Sequence, residues 1–462
     1  MTNRYYFCGV GGSGMLPLAA IQRAQGSDVA GSDRSLDAGR LAAKFDYLRS
    51  LGVSLYPQDG SGLVAGDTIV TSAAVESSIP DVVRARELGL EHVTRPQLLA
   101  RLLNDAQVSV AVGGTSGKST VTGMIGFILH ELGRSPTVMN GAVMKNFVTD
   151  EAPFASALVG DPGLFVSEVD ESDGSIALYR ATVAVLGNIS LDHKTMDELR
   201  GLFAGFLEAA NKAVVNLDDP ESRALAEAVP ADRRVGFGFD SPGAAVSGRN
   251  LSLSADSLTF SVQTSGDSAE VSLSLPGRHN AQNALAALTA VLALGVPVAD
   301  AATALTGFAG LKRRLETVGV ARGVTVIDDF AHNPDKIAAT LATLTHRPGR
   351  LLVMFQPHGY GPIAKMGDDL AATFAKGLRA DDRLYISDPV YQGGTVDRSK
   401  GSEWLASAIS DAGGNAIHIA ERAAIGDELV REAAEGDTIA ILGARDDTLS
   451  EFAAEIVARL GA

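Results

Sequence analysis

The chain has few of the residues that staple or anchor a protein. Its 462 residues hold one cysteine and one tryptophan, and aromatic residues make up only 5%. A single cysteine excludes a disulfide within the chain, and Cys8 lies in the apolar run RYYFCGV, where it reads as a small buried hydrophobe. Positive charge is scarce too. Thirty-nine Lys and Arg face 55 Asp and Glu, a formal net charge of −16, and no basic patch offsets it. That balance repels a polyanionic backbone and speaks against nucleic acid as a partner. Long apolar runs are also missing. The opening MTNRYYFCGVGGSG reaches glycine within ten residues, too early for a signal peptide or a membrane helix, so a cytoplasmic protein without membrane contact is expected.

Glycine, by contrast, is plentiful: 50 residues, alongside 46% hydrophobic residues, the mix of a turn-rich globular protein with a large core. The length suggests about three domains at ~150 residues each. Short β-rich apolar runs alternate with helical patterns almost throughout, as in DTIVTSA (67 to 73), VSVAVGG (108 to 114), LFVSEVD (164 to 170), VTVIDDF (324 to 330), LLVMFQP (351 to 357) and TIAILGA (438 to 444). Such alternation predicts an α/β fold of parallel sheets covered by helices. Residues 250 to 277 differ, because their apolar positions recur with period two, which predicts a small, half-exposed antiparallel sheet. Boundaries are expected at 1–106, 107–312 and 313–462, with LKRR (311 to 314) as the second hinge. A monomer and a homodimer both stay open.

Two glycine loops carry the chemistry. Gly9-Val10-Gly11-Gly12-Ser13-Gly14 fits G-x-G-x-x-G at the end of a strand, and Asp33 follows 24 positions after Gly9. The glycines permit a tight turn and close backbone approach to a diphosphate, and the carboxylate can accept from a sugar hydroxyl. On residues alone this is a diphosphate-plus-sugar site, NAD being the usual ligand, or a bare tight turn. The second loop, GGTSGKST (113 to 120), is at least one residue shorter than the general phosphate loop. A strand leads into it and an apolar helix follows Lys118-Ser119. In that arrangement backbone N–H groups cradle phosphates, a lysine meets the terminal phosphates and a hydroxyl meets Mg²⁺.

Acids come next. The strand 164 to 166 runs into Ser167-Glu168-Val169-Asp170-Glu171-Ser172-Asp173, whose crowded carboxylates call for a hard cation such as Mg²⁺ or for donors. The following strand ends in Asn188-Ile189-Ser190-Leu191-Asp192-His193, which makes His193 a candidate for metal or phosphate contact, with a structural role equally open on spacing.

Together these motifs resemble the Mur ligases, the ATP-dependent amide-forming enzymes of bacterial cell-wall precursor synthesis. Within that family the pattern is similar to the branch holding the UDP-N-acetylmuramate:L-alanine ligases and the murein tripeptide ligases. GTSGKST, GVGGSGM, the EVDESDG run, NISLDH, PGRHNAQNALAA (276 to 287), KRR (312 to 314), DDFAHNP (328 to 334) and FQPH (355 to 358) occur in family order over nearly the whole chain. The resemblance implies three domains: a Rossmann-like UDP-sugar domain, a central ATPase domain and a C-terminal Rossmann-like domain. It implies a UDP-N-acetylmuramate-type sugar nucleotide at the first loop, through Gly11, Gly12, Ser13, Gly14, Asp33 and Ser72, with His358 as a further substrate residue. ATP would lie on Gly114, Thr115, Ser116, Gly117, Lys118, Ser119 and Thr120, with Asn280 and Asn283 near adenine and Arg314, Asp329 and His332 contributed from beyond the hinge. Ser119, Glu168 and His193 would ligate Mg²⁺, and Lys118, Glu168, His193 and Arg314 would form the catalytic set.

Some positions depart from the family pattern. Ser116 stands where His or Asn is usual, Gly359 follows FQPH where an arginine is usual, and GARDDTL (443 to 449) replaces a glycine-rich loop. An arginine fork grips a carboxylate and a glycine does not, so the amine acceptor, an amino acid or a peptide, stays open. Three alternatives remain beside amino-acid ligation: tripeptide recycling, an ATP-binding protein that has lost the chemistry, and an NAD-dependent oxidoreductase.

Overall fold

The computed structural model describes residues 4–73, 75–191, 194–390 and 398–462. Each apolar run singled out in the sequence forms a strand, because valine, isoleucine and leucine filling both faces suit a sheet covered on both sides. The strands fall into three sheets. The first runs in the order Ser54–Tyr56, Asp28–Ser32, Arg4–Cys8, Thr68–Thr71, Glu91–Thr94, all parallel. Its order reverses beside Arg4–Cys8, which places the first glycine loop at the switch point where α/β sheets bind ligands.

The second sheet has ten strands, and at its centre Val108–Gly113 lies between Asp161–Glu168 and Val183–Leu186, parallel to both. The carboxyl ends of these three strands therefore share one edge, which carries the phosphate loop, the acidic run and residues 187 to 190. The period-two segment forms three strands, Val246–Leu253, Leu258–Gln263 and Ser268–Leu273. They do not stand apart as a separate sheet. Phe237 and Gly238 pair in parallel with Val246 and Ser247, so the segment extends the central sheet.

The third sheet has the order Glu316–Ala321, Val324–Asp329, Thr438–Gly443, Leu351–Gln356, Arg383–Ile386, Ala416–His418, with only the first pair antiparallel. The chain divides into two compact units, one of residues 1–251, 259–273 and 281–310, the other of 252–258, 274–280 and 311–462. Helix starts are locally encoded: Thr94 with Gln97 and Thr195 with Glu198 form capping boxes, and Asn333 caps a helix opened by Pro334. Among the described residues no helix is long and apolar enough to cross a membrane.

Candidate functional site

Gly113 ends its strand, and the chain turns through Gly114 (φ +127°) and Gly117 (φ +85°) into the helix Lys118–Glu131. Both glycines hold conformations that other residues adopt only with strain, and both are packed from outside. A Cβ on Gly114 would lie 3.2 Å from the Asn188 carbonyl, and one on Gly117 would lie 2.5 Å from Asn283 Oδ1. No partner is found among the described residues for the backbone N–H groups of Gly117, Lys118, Ser119 and Thr120. These are the open donors of a helix N-terminus and of the glycine that precedes it, and they fit an anion.

Lys118 Nζ donates to the Gly114 carbonyl (2.7 Å) and to Glu171 Oε2 (2.8 Å). Burial pulls its pKa down, but the Glu171, Asp170 and Glu168 carboxylates outweigh that and hold the ammonium charged. Asp170 has the opposite balance: burial raises it, and the Ser172 N–H, Lys118 and Arg95 bring it below the usual carboxylate range. Ser119 Oγ donates to Glu168 Oε2 (2.7 Å), and the Ser119 carbonyl accepts from Asn140 Nδ2 (2.9 Å). Glu168 packs so closely on Gly141 that a Cβ there would overlap its carboxylate.

A hydroxyl and a carboxylate in contact, beside further acids, suit a hard divalent cation. Among the described residues no three His, Cys, Asp or Glu side chains converge on one metal position. His193 lies outside the described residues.

At the first loop, Gly9 has φ +83°, Gly9 and Val10 donate to the Ser32 carbonyl, and Gly12 donates to the Gly9 carbonyl (3.1 Å). Asp33 accepts from the Gly11 N–H (2.9 Å) through one oxygen and from the Ser35 N–H (2.8 Å) through the other, capping a short helix. Gly14 precedes the helix Met15–Ala24, and a Cβ there would meet the Arg95 side chain at 3.0 Å. Ser13 sits exposed between these glycines, and Ser72 lies at the same sheet edge, one residue past Thr71, which is in register with Cys8.

In the second unit, Arg314 stacks on Phe330 (4.4 Å), His332 Nδ1 meets the Phe330 carbonyl (2.8 Å), and the His332 and His358 rings meet edge to face (4.9 Å). Burial and the neighbouring Lys336 charge push His332 down to about 2, so it is neutral at ordinary pH. Asp329 is buried and raised above the carboxylate range, with Thr340 Oγ1 donating to it (2.5 Å). Asn280 Nδ2 donates to the Pro276 carbonyl (2.8 Å).

Thus Lys118, Ser119, Glu168 and Asn283 share one site, while Arg314, Asp329, His332 and His358 cluster in the second unit. Glu171 and Asn188 lie inside the acidic run and the 188–193 segment without roles of their own there, and Asn140 and Arg95 are residues at these loops that sequence reasoning did not single out. Of the latter two, Arg95 alone left a trace, in the Thr94–Gln97 capping pattern that fixes it in a first helical turn.

Residues 4–107 match the Mur ligase family catalytic domain, 112–291 the Mur ligase middle domain and 313–445 the Mur ligase glutamate ligase domain. The UDP-N-acetylmuramate–L-alanine ligase of Streptomyces avermitilis is 34% identical over 99% of this chain and 97% of its own length. That of Streptomyces coelicolor is 35% identical over 96% of each. Among solved structures, the UDP-N-acetylmuramate-alanine ligase of Thermotoga maritima superposes with TM-score 0.79 at 25% identity, covering 99% of this chain and 98% of that one. The murein peptide ligase of Psychrobacter arcticus superposes with TM-score 0.71 at 25% identity, covering 99% of each. The expected fold class and family are borne out, and the NAD-dependent oxidoreductase reading falls. With all three domains matched in order and close relatives spanning its full length, the chain belongs to the Mur ligase family.

Proposed function

We propose that the protein is an ATP-dependent ligase that joins L-alanine to the carboxylate of UDP-N-acetylmuramate in peptidoglycan precursor synthesis. The observation that supports it most is the open row of N–H groups at Gly117–Thr120 beside the Lys118, Ser119 and Glu168 side chains. The full-length alanine-ligase relatives favour alanine over a tripeptide. We assign residues 1–106 to the sugar nucleotide, 107–312 to ATP and 313–462 to closure, and we place the enzyme in the cytoplasm, where both nucleotides reside.

The loop amides and Lys118 hold the β- and γ-phosphates. The substrate carboxylate takes the γ-phosphoryl group as the bond to ADP breaks; the amine then attacks the acyl carbon, phosphate leaves and the amine proton passes to solvent. Both steps spread negative charge over oxygens, which Lys118 and Arg314 stabilise electrostatically. Ser119 and Glu168, with His193, would hold Mg²⁺, which neutralises phosphate charge when bound. Asn283 stands at the loop and Asn280 on the same helix; within the second unit we assign Asp329 and His332 a role toward the nucleotide, and we assign Gly11–Gly14, Asp33, Ser72 and His358 roles toward the sugar substrate.

Phosphate release with UDP-N-acetylmuramate held fixed, against L-alanine, other amino acids and the tripeptide, tests this. L-Alanine should give the highest kcat/KM. A preference for the tripeptide would move the protein to recycling, and silence toward every amine despite ATP binding would overturn ligation.

A further inference from the structure

The phosphate loop is shorter than the general one, yet it is held rigidly, and the hold comes from a neighbouring strand. Asn188, two residues past the end of Val183–Leu186, grips Ser116 from both sides. The Ser116 N–H donates to Asn188 Oδ1 (2.9 Å), and Asn188 Nδ2 donates to the Ser116 carbonyl (3.0 Å). The backbone joins in: the Thr115 N–H donates to the Asn188 carbonyl (3.1 Å), and Thr115 Oγ1 exchanges hydrogen bonds with the backbone of Ser190. Asn188 is anchored in turn, since the Gly187 carbonyl accepts from Asn216 Nδ2 (2.9 Å).

Two consequences follow. The N–H groups of Thr115 and Ser116 are spent on the neighbouring strand end, so the donors left for an anion begin at Gly117. The Ser116 hydroxyl, by contrast, is buried with no hydrogen-bond partner among the described residues, so this residue is held through its backbone and not through its side chain. A residue gripped on both its N–H and its carbonyl has the two peptide planes that flank it pinned, and neither can rotate without leaving a polar group unpaired.

We infer that Asn188 is a positioning residue for nucleotide binding: its side-chain amide fixes the two peptide units that flank the Ser116 Cα and thereby aims the Gly117–Thr120 amides at the phosphates. The inference rests on the assignment of this loop to ATP. It accounts for the toleration of serine at 116, because the grip is independent of that side chain.

The test compares wild type with Asn188→Leu, which removes both arms, and Asn188→Asp, which keeps the acceptor and loses the donor. Calorimetry measures ADP and UDP-N-acetylmuramate affinity separately, with thermal unfolding of the ligand-free proteins alongside. ADP affinity should fall about tenfold to hundredfold in Asn188→Leu and at least about fivefold in Asn188→Asp, the scale of one or two lost hydrogen bonds. UDP-N-acetylmuramate affinity should stay within about twofold. A folded Asn188→Leu with near-wild-type ADP affinity would overturn the inference, as would a parallel loss of both ligands, which marks a merely structural role. Should Asn188→Leu fail to fold, Asn188→Asp decides by the same criteria. If wild type itself binds no ADP, the ATP assignment fails instead, which keeps the two failures distinct.

Discussion

The two glycine loops differ in where their backbone donors go. At Gly9–Gly14 the turn is largely self-satisfied: Gly9 and Val10 bond to Ser32, Gly12 bonds to Gly9, and Asp33 takes the Gly11 N–H. At Gly114–Thr120 the first two donors after Gly114 are spent on the neighbouring strand end, and the next four are open beside a lysine and acids. Glycine spacing therefore reports a turn, whereas the capacity for a polyphosphate lies in the amides that the turn leaves unpaired. The lysine then supplies the charge that amides lack.

The largest effect should come from the residue that has no counterpart in the first loop. Lys118→Ala should lower turnover on the order of 10²-fold, read by phosphate release, while UDP-N-acetylmuramate affinity holds. Near-normal ligation would dissolve the contrast between the loops. Next is Glu168→Gln, which should raise the Mg²⁺ concentration for half-maximal activity at least about tenfold. No such shift would remove Glu168 from the metal.

A smaller effect is expected at the first loop. Asp33→Ala removes a helix cap worth about 0.5–2 kcal/mol together with the Gly11 contact, so the melting temperature should drop by a few degrees and sugar-nucleotide affinity about fivefold, with ADP affinity unchanged. An equal loss for ADP would show that the loops are not independent.

The smallest effect on either ligand lies outside both loops and serves as their control. Burial pushes His279 down to about 4 from its ordinary value near 6.5. Below pH 6.5 the unfolded chain binds a proton that the folded chain refuses until about pH 4. Stability is therefore present above 6.5 and is lost as pH falls through that window. His279→Gln should flatten this loss in thermal unfolding from pH 7 to 4, and an unchanged slope would assign the loss to other groups.

Much of this was legible beforehand, for physical reasons. Strands buried on both faces need continuous apolar runs, and a lysine directly after a turn glycine has few uses other than phosphate. Asn188 was not legible, because its grip on Ser116 spans 72 positions and depends on which strands lie side by side. Asp33 was visible as a carboxylate at the right spacing, but its capping of Ser35 depends on a four-residue helix with no periodicity to detect. Period two marked residues 250 to 277 as strands. It carried no sign that a parallel pair would join them to the central sheet.

The central claim is that the two loops take different ligands, and backbone amide exchange tests it most directly. On adding ADP, the Gly117–Thr120 amides should slow while Gly9–Gly14 stays unchanged, and UDP-N-acetylmuramate should do the reverse. Protection of the first loop by ADP, or of neither loop by either ligand, would contradict the account.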